Sequence, residues 1–255
     1  MRKHLSVLAL YIRATARWIL PLLAVTAAAE GALLSRPITP DNGSYMDLFL
    51  YSEQCHMEWA CLGFFLVLMT LLCLSGTSYG SRTDYTLQRL SIRPQTAFLW
   101  QSVCYCIWIT AFWALQVLLL VVCSNRFLLT TAENVGPQTL LTHLYQWDFS
   151  ANLLPLACVI RWIRNILLVM ALGASAAYFS WQQRKGSFGF CVILSVLLCV
   201  FAFLQTANLF LTMLGVIGAL LIMAYVVIHI VNGKEEDALE ALRQDTTAAV
   251  AEPPL

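Results

Sequence analysis

The chain has 255 residues, 60% hydrophobic and 11% charged, with a formal net charge of +1 and a mean hydropathy of +0.73. Soluble domains carry roughly 25% charged residues, so this sequence cannot dress a water-facing surface, and its near-neutral balance offers nothing to nucleic acid. Its apolar residues run in stretches of about 18–25, enough to cross a ~30 Å hydrocarbon core. The short alternating segments of a membrane barrel are missing. The predicted class is therefore all-α: a polytopic membrane protein with six transmembrane helices, an N-terminal interfacial helix and a short cytosolic helix between spans two and three.

Residues 1–16 do not read as a span. Leu5, Leu8, Tyr11, Ile12 and Ile19 gather on one side of a helical wheel, with Arg2, Lys3, Ser6, Arg13 and Arg17 opposite. That pattern predicts an amphipathic helix in the headgroup layer, its cations toward anionic lipid. A signal peptide is the competing reading, because Trp18–Ala28 is a short apolar core ending in a run of alanines. The long charged start and the further apolar residues Gly31–Leu34 favour an uncleaved first span over 17–34.

Ser35–His56 is a polar loop rich in turn formers, and 57–75 is the second span. The polar island Gly80–Pro94 follows, then a third span over 98–123 entered through Trp100 at the interface. Ser124–Asn152 is a second polar loop. Arg161 and Arg164 interrupt the next apolar stretch, so 153–164 reads as an interfacial or re-entrant lead-in and 163–180 as the fourth span. Spans five and six are placed at 190–205 and 209–231, joined by the tight turn Gln205–Asn208. The six-span domain thus covers 17–231, and 232–255 is a cytosolic tail in which Lys234–Gln244 forms a short acidic helix.

Orientation follows from where the cations fall. With the N-terminus inside, only Arg36, Arg126, Arg161 and Arg164 of the 15 lysines and arginines lie outside. Arg2, Lys3, Arg13, Arg17, the island arginines, Arg184, Lys185, Lys234 and Arg243 all lie inside. The expected location is the cell membrane, multi-pass, with both termini cytoplasmic.

Within the island, Ser81 and Asp84 have the spacing of a capping box, and Pro94 stops a helix at Arg93. Arg82, Arg89 and Arg93 then fall within about 40° of one another on the wheel, with Leu87 and Leu90 to one side. Such a ridge can dock into a cytosolic partner, or it can be an ordinary positive-inside loop whose arginines meet lipid phosphates. The Gly/Ser stretch, the run Asp84-Tyr-Thr-Leu-Gln-Arg-Leu-Ser-Ile-Arg-Pro94 and the aromatic-led span with Gln101 in its first turn resemble the permease subunits of type-2 ABC exporters. The sequence likeness covers about 76–101, and the likeness in topology covers the whole chain.

This resemblance implies that the island is a coupling helix and that Arg82, Leu87, Arg89, Leu90 and Arg93 bind an ABC ATPase subunit. It implies a second permease protomer, in a homo- or heterodimer, and an N-terminal helix resembling the family's interfacial elbow. ATP would be bound by the partner subunit, and this chain would need no cofactor. One departure stands out: family members carry a re-entrant element between the last two spans, and here only Gln205–Asn208 separates them.

The expected absence of ATP hydrolysis rests on the sequence as well. The three lysines, Lys3, Lys185 and Lys234, stand in no phosphate-loop context. Glu53, Cys55, His56 and Glu58 include metal-ligand types, but their spacing matches no standard site and reads as a solvated loop end. His143 and Asp148 are loop residues. Within the spans there are no paired aspartates, no H-E-x-x-H and no G-x-S-x-G, so the chain is not expected to be an enzyme.

Three ionisable residues in or beside spans are candidate polar sites. Glu30 lies near the outer end of span one, within reach of water. Arg161 and Arg164 share a helical face, and could bind an anionic headgroup, pair with Glu30 or anchor their helix at the outer surface. Gln116, Asn165 and Ser175 are expected to bridge helices, and Ala171–Ala177 with Gly215 and Gly218 to permit close packing, inside the protomer or across a dimer. The nine cysteines read as packing residues, with a bridge from Cys55 to Cys61 or Cys123 as the other option. A membrane sensor, immunity factor or scaffold that transports nothing is the alternative function.

Overall fold

A computed structural model of the chain describes residues 2–35, 56–76, 94–131, 147–156, 158–184, 189–204 and 208–251. They form seven α-helices: α1 (Arg2–Leu34), α2 (Met57–Gly76), α3 (Pro94–Thr131), α4 (Asp148–Leu153), α5 (Val159–Arg184), α6 (Cys191–Leu204) and α7 (Leu209–Ala251). Among the described residues there is no strand, as a chain that must satisfy its backbone inside lipid requires.

Five helices are long and apolar enough to cross a membrane, over Ser6–Leu34, Met57–Ser75, Gln95–Arg126, Val159–Gln183 and Leu209–Asn232. The expected sixth, α6, has 14 residues. At 1.5 Å per residue it is about 21 Å long, short of a ~30 Å core.

The N-terminal stretch is not a separate element. α1 runs unbroken for 33 residues and carries Pro21 inside it, a substitution that membrane helices tolerate when neighbours cover the freed carbonyl. The stretch expected to lie in the headgroup layer, its cations toward lipid, packs one face on the bundle and leaves Arg13 and Arg17 exposed. Val7, Tyr11, Thr15 and Ile19 are buried at four-residue spacing, and the same seam continues through Thr26, Glu30 and Leu34. Trp108 on α3 fastens it, donating from Nε1 to Thr15 Oγ1 at 2.8 Å, while that hydroxyl donates to the Tyr11 carbonyl at 2.8 Å.

α5 is the hub and packs against α2, α3, α6 and α7. Its small residues do this inside the protomer: Ala171, Ala176 and Ala177 are buried. A Cβ at Gly173 would stand 3.1 Å from the backbone nitrogen of Cys106 and 3.2 Å from the Ser102 carbonyl on α3. Ser175 and Ser195 then join α5 to α6 through a hydroxyl pair at 2.7 Å.

Two boundaries differ from expectation. The break before the fourth long helix falls at Leu154–Cys158, around Pro155, so Arg161 and Arg164 lie within α5 and the lead-in is α4. At the other end, α7 continues through the segment expected to be a separate tail helix. Pro94 opens α3 as the first residue, where its missing N–H costs nothing.

Candidate functional site

The polar interior lies at one end of the bundle, where α1 finishes, α2 begins and α4 meets α5. Beside it sits a cavity of about 80 Å³, lined by residues of α2, α3, α4, α5 and α6. Its walls are apolar and aromatic, with Phe112, Trp113 and Phe203 prominent; Glu58, Gln116 and Asn165 supply the polar edges.

On the α1–α3 side, Glu30 is 1% exposed. The four-residue seam of α1 aims it at α3, away from the water that its place near the helix end suggested. Gln116 Nε2 donates to Glu30 Oε1 at 2.9 Å, whereas Glu30 Oε2 and Gln116 Oε1 are buried with no hydrogen-bond partner.

On the α4–α5 side, Arg164 is 0% exposed. Its Nε donates to Asn165 Oδ1 at 3.2 Å, and its Nη2 donates to Asn165 Oδ1 at 3.0 Å and Asn152 Oδ1 at 3.3 Å. Asn165 Nδ2 donates to the Asn152 carbonyl at 2.8 Å, which ties α5 to α4. The guanidinium lies 5.8 Å from the Phe203 ring centre on α6, while Nη1 has no hydrogen-bond partner. α7 passes close by at Gly215, where a Cβ would stand 3.2 Å from Arg164 Cδ.

Glu30 and Arg164 therefore do not pair. Each is held by neutral amides, and each joins the cavity wall through its amide partner, Gln116 or Asn165. Arg161, three residues from Arg164, is only partly buried, so the two arginines have different surroundings.

Of the loop candidates, Glu58 accepts from Trp147 Nε1 at 2.6 Å, and Trp147 is 2% exposed. His56 is exposed just ahead of α2 at a φ of 49°. Glu53, Cys55 and His143 lie outside the described residues, as do Arg82, Leu87, Arg89, Leu90 and Arg93 of the proposed coupling helix. Among the described residues no disulfide forms, and no three His, Cys, Asp or Glu side chains converge as metal ligands. Gly76-Thr77-Ser78-Tyr79-Gly80, just past the second span, does have the G-x-S-x-G spacing. The elbow that activates such a serine is a strand-to-helix turn, and here a helix, α2, leads into the motif.

Sequence reasoning singled out Glu30, Arg164, Gln116 and Asn165 but not Asn152. The spacing 15, 19, 26, 30 along α1 was the signal for burial of Glu30. Nothing in the local sequence marks Asn152, whose role depends on the chain folding back at Pro155. Comparison with protein-family models, with curated proteins and with solved structures finds no match.

Proposed function

We propose that this chain is the membrane-spanning permease subunit of an ABC-type transporter, an exporter by its resemblance, energised by a separate ATPase subunit. One observation of the sequence carries the reading: between two long apolar helices, α2 and α3, stand Arg82, Arg89 and Arg93 at helical spacing, with Ser81 and Asp84 at the spacing of a capping box. The lack of a phosphate loop assigns ATP to the partner chain. In this reading the chain sits in the cell membrane as one of two protomers, with both termini in the cytoplasm. Closure of the ATPases pushes on the segment 80–94, tilts α2 and α3, and opens a path between protomers. Arg82, Arg89 and Arg93 make the charged contact, and Leu87 and Leu90 the apolar one.

The test is reversal of charge at Arg82, Arg89 and Arg93 together. Co-purification with the ATPase should fall at least tenfold, roughly the effect of losing 1.4 kcal/mol of binding, while membrane insertion is retained. Undiminished co-purification sinks the assignment.

A second reading is a membrane sensor, immunity factor or scaffold without transport: the cavity beside Gln116, about 80 Å³ with apolar walls, has room for only a few waters. The two readings part on whether an ATPase co-purifies.

A further inference from the structure

Every buried polar atom needs a partner, and around Glu30 the donors run short. An ionised Glu30 contributes two acceptor oxygens and Gln116 contributes a third. Only one donor is engaged among them, the Gln116 Nε2 hydrogen bonded to Glu30 Oε1. Glu30 Oε2 and Gln116 Oε1 are left as bare buried acceptors, beside a residue that is 1% exposed. No cation is paired with the carboxyl among the described residues; Arg164 hydrogen-bonds Asn152 and Asn165 instead.

A carboxylate held in this way inside a membrane bundle bears the full cost of an unpaired buried charge. A single proton removes that cost. It neutralises the group and turns one acceptor, Oε2, into the missing donor.

We propose that Glu30 is a proton-binding site, its ligand a single proton, set into the α1–α3 seam behind the cavity wall formed by Gln116. With the proton bound, the seam is closed and the cavity stays dry. When it leaves, the carboxylate needs donors that only water can bring, so the contact of α1 with α3 loosens and the cavity hydrates. The site does not depend on the transport reading, and a sensor could use it equally.

The other ionisable groups around Glu30 do not supply its counter-charge. On α2, Cys61 lies within electrostatic reach of Glu30, and Glu58 and Cys199 of α6 reach the same thiol. None of these is cationic, and Glu58 is engaged by Trp147. Along α3 the next ionisable residues beyond Gln116 are Cys123 and Arg126. Arg126 donates to the carbonyls of Leu34 and Ser35, at the end of α1.

The experiment is infrared spectroscopy of the full chain in lipid nanodiscs at neutral pH. Expected is a carboxylic-acid C=O stretch that shifts in heavy water, disappears in Glu30→Gln and persists in Glu58→Gln. Raising the pH should abolish it, the protonated population falling about tenfold per pH unit beyond the midpoint. Should Glu30→Gln fail to fold, Glu30→Asp keeps a carboxyl and should keep a band at altered frequency. A wild-type spectrum with no such stretch overturns the proposal, as does a stretch that survives unchanged in Glu30→Gln.

Discussion

At the scale of single residues, Arg164 shows how a membrane interior accommodates charge without an opposite charge. Two asparagines, one from α4 and one on α5 itself, accept its hydrogen bonds, and Phe203 covers its face. Hydrogen bonds to a charged group contribute about 1.5–3 kcal/mol each, and stripping them leaves a stranded guanidinium. Asn165→Leu should therefore destabilise the protein by about 2–4 kcal/mol, read as a lower midpoint in denaturant or detergent unfolding. Arg164→Met, which removes the charge and keeps the apolar stem, should cost less than Asn165→Leu. The double variant should recover most of the loss. If Arg164→Met abolishes function while leaving stability intact, the arginine serves an anionic ligand through its free Nη1. Of this cluster, the sequence made Arg164 conspicuous as a charge in an apolar run, and Asn165 as a polar neighbour. It could not show that Arg164 is buried and Arg161 partly exposed, since both share a helical face and only the neighbouring helices differ.

Among the elements, α5 owes its central place to small side chains. Where it crosses α3, Gly173 faces the Cys106 thiol and, behind it, the backbone of Cys106 and Ser102, which cannot rotate aside. Gly173→Ala should part the two helices and cost about 1–3 kcal/mol, measured by the same unfolding assay. Gly218→Ala makes the contrast. Its Cβ would meet the methyl tips of Leu198 at 2.9 and 3.1 Å, and a flexible side chain can yield, so that variant should remain close to wild type. The run Ala171–Ala177 was legible as a close-packing surface. Whether it served the protomer or a dimer was a tertiary question, and α3 answers it. α1 makes the same point, because its amphipathic stripe is equally suited to headgroups and to a protein groove. The seam continues in register from Val7 to Leu34, and a continuous neighbour, α3, is there to receive it.

For the whole molecule, the number of crossings turns on α6. Its 14 residues give about 21 Å of helix, so crossing a ~30 Å core requires local thinning or cover from its neighbours. The proposed orientation, with both termini in the cytoplasm, requires that α6 cross and make six spans. A reporter that folds only in the cytoplasm, fused after Leu255, should be active, as should the same reporter fused before Met1. An inactive C-terminal fusion beside an active N-terminal one means that α6 turns back and the chain crosses five times.

The sequence by itself determined the helical membrane class, the places of the long apolar helices, though not where the first begins, and the residue types with unusual chemistry. These are sums over short windows, and hydropathy or lysine counts need no partner to be read. Only the tertiary structure decided which polar side chains are buried and what satisfies them. Glu30 is sealed by α3, Arg164 is held by an asparagine brought back by the turn at Pro155, and the two opposite charges do not pair. Burial and pairing depend on atoms far away in the chain, and no local pattern encodes them.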